Sequence, residues 1–587
     1  MPGINGALSI ASWTLYNSQL ALEITSHNVA NANTEGYSRQ SLKIDPNIPI
    51  NMGPGEIGTG ARAVEVIRAH DEFINSQVNA KRSQYYYWKT QSDAMDEVET
   101  IFNETGDTGL NEMMSQFWSA WGDLSNNPDG TPEREALIAK SNNLIQTISN
   151  IDFDLRENQR NLDNNIRGSV GQVNAIIEQI ADLNNQISSV EIKGSVNAND
   201  LRDRRDLLLE KLSEYMDISY YEEENSGQVM VYILGGTPLV LGTETYAIDD
   251  VYNTATGLTD LVWQDESGRT VNITNRLAGG KIAGWVNVRD NKIGSYLDSL
   301  NTLTDELVWQ VNSLHADGTG LESVSSMTGS VVIAAATDDL AADFYFSDRY
   351  NAGGQFDIVV YDSAGNVANT YAINPAGSTV QDLITAINAA PELTASITAA
   401  GYFNIQADPG YTFAVKPHAG GETSHSLAIM GVNTFFSWAE NTVQPMLDIT
   451  QTIGISDALE ANSGLVAAGT IDENNRVAPG NNTVALSVSA LRDRVIPNLG
   501  GTGVSTTLDS YYSSFIARVG VDVENAVMNE TFNDTLLSQY LQKQEGVMGV
   551  NLDEEMANIL KLQHLYQAAA KIISVCDEMM QSLLSTK

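Results

Sequence analysis

From Ile559 onward the apolar positions step by three and four: Ile559, Leu562, Tyr566, Ala569, Ile573, Cys576, Met580 and Leu583. A repeat of about 3.5 residues keeps one seam of a helix turned toward a partner helix. The first thirty residues carry a seam of their own, through Ile4, Leu8, Ala11, Leu15, Ser18, Leu22, Thr25 and Val29. Each stripe is too narrow to bury itself against nothing. Two such seams at opposite ends of one chain predict terminal helices that pair with each other or with copies of themselves. The plainer alternative is that each is an amphipathic helix lying on a globular core. Stripes at both ends favour assembly.

Between the termini the pattern changes several times. His27 to Arg39 is rich in Asn and ends in Gly36-Tyr37-Ser38-Arg39, which reads as a helix C-cap followed by a turn. Residues 41–65 hold Pro46, Pro49 and Pro54 with Gly53, Gly55, Gly58 and Gly60, so a linker with short extended pieces is expected there. Helical spacing returns through Ile74, Val78, Trp88, Met95, Val98 and Ile101, and again over Leu110 to Leu124. Thr131-Pro132 opens the longest helix, with Thr as N-cap and Pro at the first helical position. Its apolar face runs from Leu144 to Ile187 without a proline. At about 1.5 Å per residue that is a rod of roughly 80 Å, with bends expected at Gly168 and Gly171. Asn199 to Met216 reads as a short charged helix whose Arg/Asp alternation forms solvated pairs along its own surface. Runs such as Gln228-Val-Met-Val-Tyr-Ile-Leu-Gly-Gly236 and Leu239-Val-Leu-Gly242 read as strands, continuing to Ile273, and Ile293 to His315 as an amphipathic helix.

Residues 331–435 contain few basic residues and read as β–β–α–β–β, with a hairpin at Phe356–Ile373 and a small helix at Thr379–Ala390. Helical spacing then resumes over Asn481–Leu491, Thr507–Met528 and Thr531–Lys543. Asn551-Leu-Asp-Glu-Glu555 opens the last helix, its acidic first turn suiting the helix dipole. The fold class expected is multidomain α+β, with paired terminal coiled-coil helices, a long α-helical stem and inserted β-rich modules. The domains expected are 1–60 with 546–587, then 61–330 with 436–545 (β-rich at about 217–278), then 331–435 as an inserted α/β outer domain.

Composition removes whole classes of function. At 587 residues the chain has room for several domains with sizeable cores. Its 74 acidic and 32 basic residues give a net charge of −42, which repels nucleic acid and anionic membranes alike. The charge is spread along the chain and reads first as a solubility device. The aromatic run Tyr85-Tyr86-Tyr87-Trp88 is therefore read as packing rather than base stacking. Cys576 is the single cysteine, so no internal disulfide forms, and its place on the apolar seam suits packing. Neither a secretory signal nor an apolar run long enough to span a bilayer is read, which by itself suggests a cytosolic protein.

Candidate chemistry is sparse. Gly280-Lys281 tempts a phosphate-loop reading, but Asn275 and Ile282 break the G-x-x-x-x-G-K-[ST] pattern twice. His418 and His425, with Glu422 between them, fit no zinc spacing and read as a surface loop. No nucleophile elbow is present. No enzyme, cofactor or metal site is expected.

One motif is long and fixed in spacing. Asn28, Ala30, Asn31, Asn33, Thr34, Gly36, Tyr37 and Arg39, directly behind a heptad helix, resemble the N-terminal signature of the flagellar axial proteins: rod, hook and hook-associated. His27 departs from it, since members usually carry Asn or Ser there. Gly549-Val-Asn-Leu-Asp-Glu-Glu555 and its helix are similar to the C-terminal signature of the same proteins. Leu201-Arg-Asp-Arg-Arg-Asp-Leu-Leu208 before a β-rich segment resembles the FlgK family of hook-associated proteins in particular, as do the stretches near 280 and 300. The resemblance covers about 1–330 and 440–587.

It implies a non-enzymatic structural subunit with both chain ends in the middle of a tube. The long helices would make a second layer and the β-containing modules would face outward. As partners it implies further copies of the chain in a homo-oligomeric ring, the hook protein on one side and the next hook-associated protein on the other. A cytosolic export chaperone would hold the C-terminal helix. Nucleic acid and membrane insertion are not expected. The protein would be extracellular, in the flagellum, exported through the flagellar type III channel without a cleaved signal peptide, which overrides the cytosolic reading. The alternatives are a hook or rod protein, or a secreted adhesin using the 331–435 module.

Overall fold

The computed structural model describes residues 2–52, 55–102, 108–191, 196–223, 225–233, 236–265, 267–375, 377–419, 422–439 and 448–585. Gly53 and Pro54 of the linker lie outside these residues. The chain divides into two compact units, the first made of 1–95, 161–288 and 524–587, the second of 96–160 and 289–523.

The first unit contains both chain ends. Its N-terminal helix, Pro2–Asn31, packs along the C-terminal helix, Leu552–Ser585. The proline–glycine stretch is more ordered than a linker: Gln40–Pro46 and Ala61–Arg68 form an antiparallel ribbon with a bulge at Lys43/Ile44. Pro46 sits at the strand end and Pro49 beyond it, where no ladder hydrogen bond is lost. The core gathers apolar residues of the long helix (Ile166, Val173, Ile177, Ile180), of helix Asn199–Tyr215 (Leu209, Leu212) and of a β-region. That region is a four-stranded sheet from Ile218 to Thr245 beside a three-stranded one from Ile248 to Asn272. Gly280, at φ +80°, opens the helix Gly280–Val286; a Cβ there would stand 2.3 Å from the backbone of Tyr215 and Met216. The glycine pair that imitates a phosphate loop is thus explained by close packing of backbones.

The second unit is built on helices Leu110–Asn126 and Gly294–Ala316, with two three-stranded sheets. Phe356–Tyr361 pairs on one side with its hairpin partner Val367–Ile373 and on the other with Thr412–Pro417. The second sheet recruits Ser326–Val332 to Tyr402–Ala407, so the module draws a strand from before residue 331. Helix Val380–Ile387 is closed by a capping box between Thr379 and Asp382. Trp121 and Phe435 pack edge-on against His315, with Phe117 edge-on to Trp121 and Phe436 edge-on to Phe435 behind them.

The long helix spans Thr131–Val190, 60 residues or about 90 Å, unbroken at both glycines. The two helices expected at 507–528 and 531–543 are one, Leu508–Met548. Thr531 lies within it, its hydroxyl donating back to the Val527 carbonyl at 3.0 Å.

One device recurs across both units. A helix-borne asparagine presents its amide to an extended segment and pairs with it as a strand neighbour does. Asn174 donates to the Ile248 carbonyl (2.8 Å) and accepts from the Ile248 N–H (3.0 Å). Asn184 does so with Val229, Asn312 with Phe436, and Asn388 with Ala395. Each amide satisfies backbone groups at a helix–strand junction that would otherwise be buried unpaired, at about 1–3 kcal/mol apiece.

A terminal helix pair and the polar clasp at its base

The N-terminal helix uses the same device twice. Asn17 donates to the Ala61 carbonyl (2.8 Å) and accepts from the Ala63 N–H (3.0 Å), tying the helix to the ribbon. Asn28, fully buried, donates to the Gln40 carbonyl (2.9 Å) and accepts from the Gln40 N–H (3.0 Å). Its second amide hydrogen goes to Glu555 Oε2 at 3.0 Å. Glu555 is buried at the first turn of the C-terminal helix, and its other oxygen accepts from Arg39 Nε at 2.8 Å. The Arg39 N–H donates to the Met548 carbonyl at 2.9 Å. A motif spaced over twelve residues therefore closes onto the opposite end of the chain.

Tyr37 donates to Asn28 Oδ1 at 2.8 Å. Burial, with Asp200, Asp203 and Glu555 nearby, pushes its phenol well above the ordinary value, so the donor role holds at any physiological pH. The phenol hydrogen is committed to Asn28, so His27 Nδ1, 3.0 Å from the Tyr37 oxygen, carries a hydrogen and donates. The unusual His27 thus extends the network by one link. Gly36, at φ +75°, lets the loop lie against Leu207, and Thr34 donates to Asn31 Oδ1 at 3.2 Å. Ala30, in the last turn of the helix, and Asn33, on the loop, are exposed.

The Arg/Asp run at 201–208 differs from its expected role. Its pairs are buried or half-buried and link different elements. Ser38 N–H donates to Asp203 Oδ2 (2.8 Å), while Arg68 bridges Asp203 (2.7 Å) and Asp206 (2.6 Å). Arg205, with no side-chain exposure, reaches Glu222 (2.5 Å) and the Gly227 carbonyl (2.6 Å). Arg202 holds Glu191 and Glu222. The helix is held between the clasp and the sheet, so most of its charges face partners on one side or the other, while Arg204 is exposed. Sequence spacing alone could not show this, because the partners lie 11 to 165 positions away.

Beyond the clasp the two seams meet. Ala11, Ser18 and Thr25 are buried and Ile4, Leu8, Leu15, Leu22 and Val29 half-buried. On the other helix Ala569 and Cys576 are buried and Ile559, Leu562 and Ile573 half-buried, while Tyr566, Met580 and Leu583 remain exposed. A second stripe, absent from the sequence reading, lies one residue off the first. Leu565, Ala568, Ile572, Val575 and Met579 step by three and four, and the four larger side chains are 41–50 % exposed. The N-terminal helix likewise leaves Ile10, Trp13 and Tyr16 outward. No group of His, Cys, Asp and Glu able to hold a metal occurs among the described residues, and none of their helices is long and apolar enough to cross a membrane.

Comparison with known proteins fits this geometry part by part. Residues 95–329 match the helical domain of flagellar hook-associated protein FlgK, 546–586 the C-terminal region of flagellar basal body rod FlgEFG proteins, and 8–37 the flagella basal body rod protein family. Flagellar hook-associated protein 1 of Bacillus subtilis (strain 168) is 24% identical over 98% of this chain and 97% of its own length. The protein of the same name from Escherichia coli (strain K12) is also 24% identical, over 100% of this chain and 99% of its own. In fold, the chain is similar to the flagellar hook junction protein FlgK from Burkholderia pseudomallei, with a TM-score of 0.51 at 17% identity, covering 80% of this chain and 100% of that one.

Proposed function

We propose, from the premise that this chain is a flagellar structural protein related to the hook-associated FlgK family, that it forms the junction ring between hook and filament. Copies of the chain pack side by side through their terminal helices, with the hook protein on one side and the next hook-associated protein on the other. The observation that carries the reading is the second apolar stripe of the C-terminal helix, Leu565, Ile572, Val575 and Met579, left exposed beside a seam already occupied. A helix with two apolar seams is suited to two neighbours. The N-terminal helix supplies one of them, and a terminal helix of another copy supplies the second.

The chain works mechanically and carries out no chemistry. It leaves the cell through the flagellar type III channel without a cleaved signal peptide. In the cytosol a chaperone covers the same C-terminal stripe, which otherwise exposes apolar surface at high concentration. The test is electron microscopy of a strain lacking the chain, with flagellin assayed in the medium. Hooks without filaments and flagellin shed as monomer are expected. Absent hooks would move the protein to rod or hook. Intact rotating filaments would remove the structural role and favour the adhesin.

A further inference from the structure

We propose that Glu555 sets the register of the two terminal helices. The seam itself specifies register weakly. Its buried positions are small on both sides (Ala11, Ser18 and Thr25 against Ala569 and Cys576), and they recur every seven residues on each helix. A slide of one heptad, about 10 Å, brings Ser18, likewise small and buried, to the place of Ala11 with little change in apolar contact.

The clasp has no such repeat. Its carboxylate is 2 % exposed and is held by one amide, Asn28 Nδ2 at 3.0 Å, and one guanidinium, Arg39 Nε at 2.8 Å. The amide donor is fixed independently of the C-terminal helix, while the Arg39 guanidinium also reaches Glu554 of that helix at 3.5 Å. Asn28 is pinned by Gln40 and Tyr37, and Gln40 Nε2 in turn donates to Asp200 at 2.7 Å. Any slide leaves a buried carboxylate and a buried amide without partners. A single buried polar contact that fixes register in an otherwise permissive helix pair is the best-attested use of such groups. The height at which the outer stripe is presented follows from this, a consequence that rests on the assembly reading above; the register claim does not.

Cys576, the only cysteine, supplies the probe. The end of one helix meets the start of the other at Asn28 and Glu555, so the pair runs antiparallel. Cys576 is twenty-one residues on from Glu555, and Leu8 is twenty back from Asn28, so these two stand at about the same height. Full-length chains carrying Leu8→Cys, Leu15→Cys or Leu22→Cys are oxidised at low concentration and their intramolecular disulfides mapped.

With Glu555 intact, the Leu8→Cys chain is expected to crosslink at least fivefold more than the other two. With Glu555→Ala the preference should fall at least fivefold, new crosslinks appearing from position 15 or 22. Arg39→Gln, which leaves the carboxylate and Asn28 in place, provides a milder second variant and should shift the pattern partially. An unchanged pattern in Glu555→Ala would overturn the proposal. So would a uniform loss without new positions, which marks a stabilising contact only, or the absence of crosslinks at all three positions with Glu555 intact. These readouts are taken on single chains, so they are independent of whether the protein forms a junction ring.

Discussion

The interior around His315 and the outer face of the C-terminal helix follow opposite rules. His315 lies fully buried among Trp121 and Phe435, donating from Nδ1 to the Asn433 carbonyl (2.7 Å) and accepting at Nε2 from the Ala467 N–H (2.8 Å). Both ring nitrogens are used, and the apolar groups around them are covered. On the C-terminal helix, by contrast, only three residues are buried: Glu555, Ala569 and Cys576. The difference separates stability that the folded chain already has from stability that needs a neighbour. The clasp belongs to the first kind although it sits at the foot of the second.

The comparison breaks most readily at the clasp. Asn28→Asp is nearly isosteric, but it removes both amide donors and sets a second carboxylate beside buried Glu555. A loss of about 3–5 kcal/mol is expected, read as faster amide exchange in residues 2–40 and 552–585. Unchanged exchange there would place the clasp outside the internally stabilised set.

The His315 region sharpens it through pH. Burial holds the imidazole down at about 4 from an ordinary 6.5, so the unfolded chain binds the extra proton first. Its contribution is complete above pH 6.5 and is lost as pH falls toward 4, about 3 kcal/mol in all. Amide exchange of the second unit should therefore speed up on acidification through this window. A His315→Phe chain should be less stable at pH 7 and should lack that component of the slope.

Asp317 acts in the opposite direction. Burial raises its carboxyl to about 6, so stability from this group is full below pH 3.8 and is lost as pH rises through 6. Asp317→Asn keeps the acceptor for Thr423 and removes the buried charge. It should stabilise the second unit by about 2–3 kcal/mol at pH 7 and by nothing at pH 3.5, measured by denaturant unfolding at the two values.

The smallest effect on the isolated chain is expected where the effect on assembly is largest. Ile572 and Met579, 47% and 50% exposed, face away from the seam. Ile572→Asp with Met579→Asp should change monomer stability by no more than about 0.5 kcal/mol. Monomer unfolding before and after the double substitution checks this directly.

The sequence disclosed these regions unequally. The terminal helices, the long helix and most of the inserted module were legible because each rests on local periodicity; the module departs from β–β–α–β–β by a third strand after its helix, Thr412–Pro417. The twelve-residue motif was legible as a resemblance, yet what it does was not. Glu555 read only as one of three acids suiting a helix dipole, because its partners stand 516 and 527 positions away. The same limit made Arg205 look like a solvated charge. The second stripe could have been found, since Leu565, Ile572, Val575 and Met579 repeat as regularly as the first; tracing a single seam hid it. The asparagine junctions carry no local signal at all, as Asn174 and Asn184 look like any polar residue on a helix face.

The most direct test is to return the Ile572→Asp, Met579→Asp chain to a strain lacking the protein and image its flagella. With the substituted chain folded and exported, hooks without filaments and flagellin free in the medium are predicted. Filaments of normal number and length would contradict the assignment of the outer stripe to assembly.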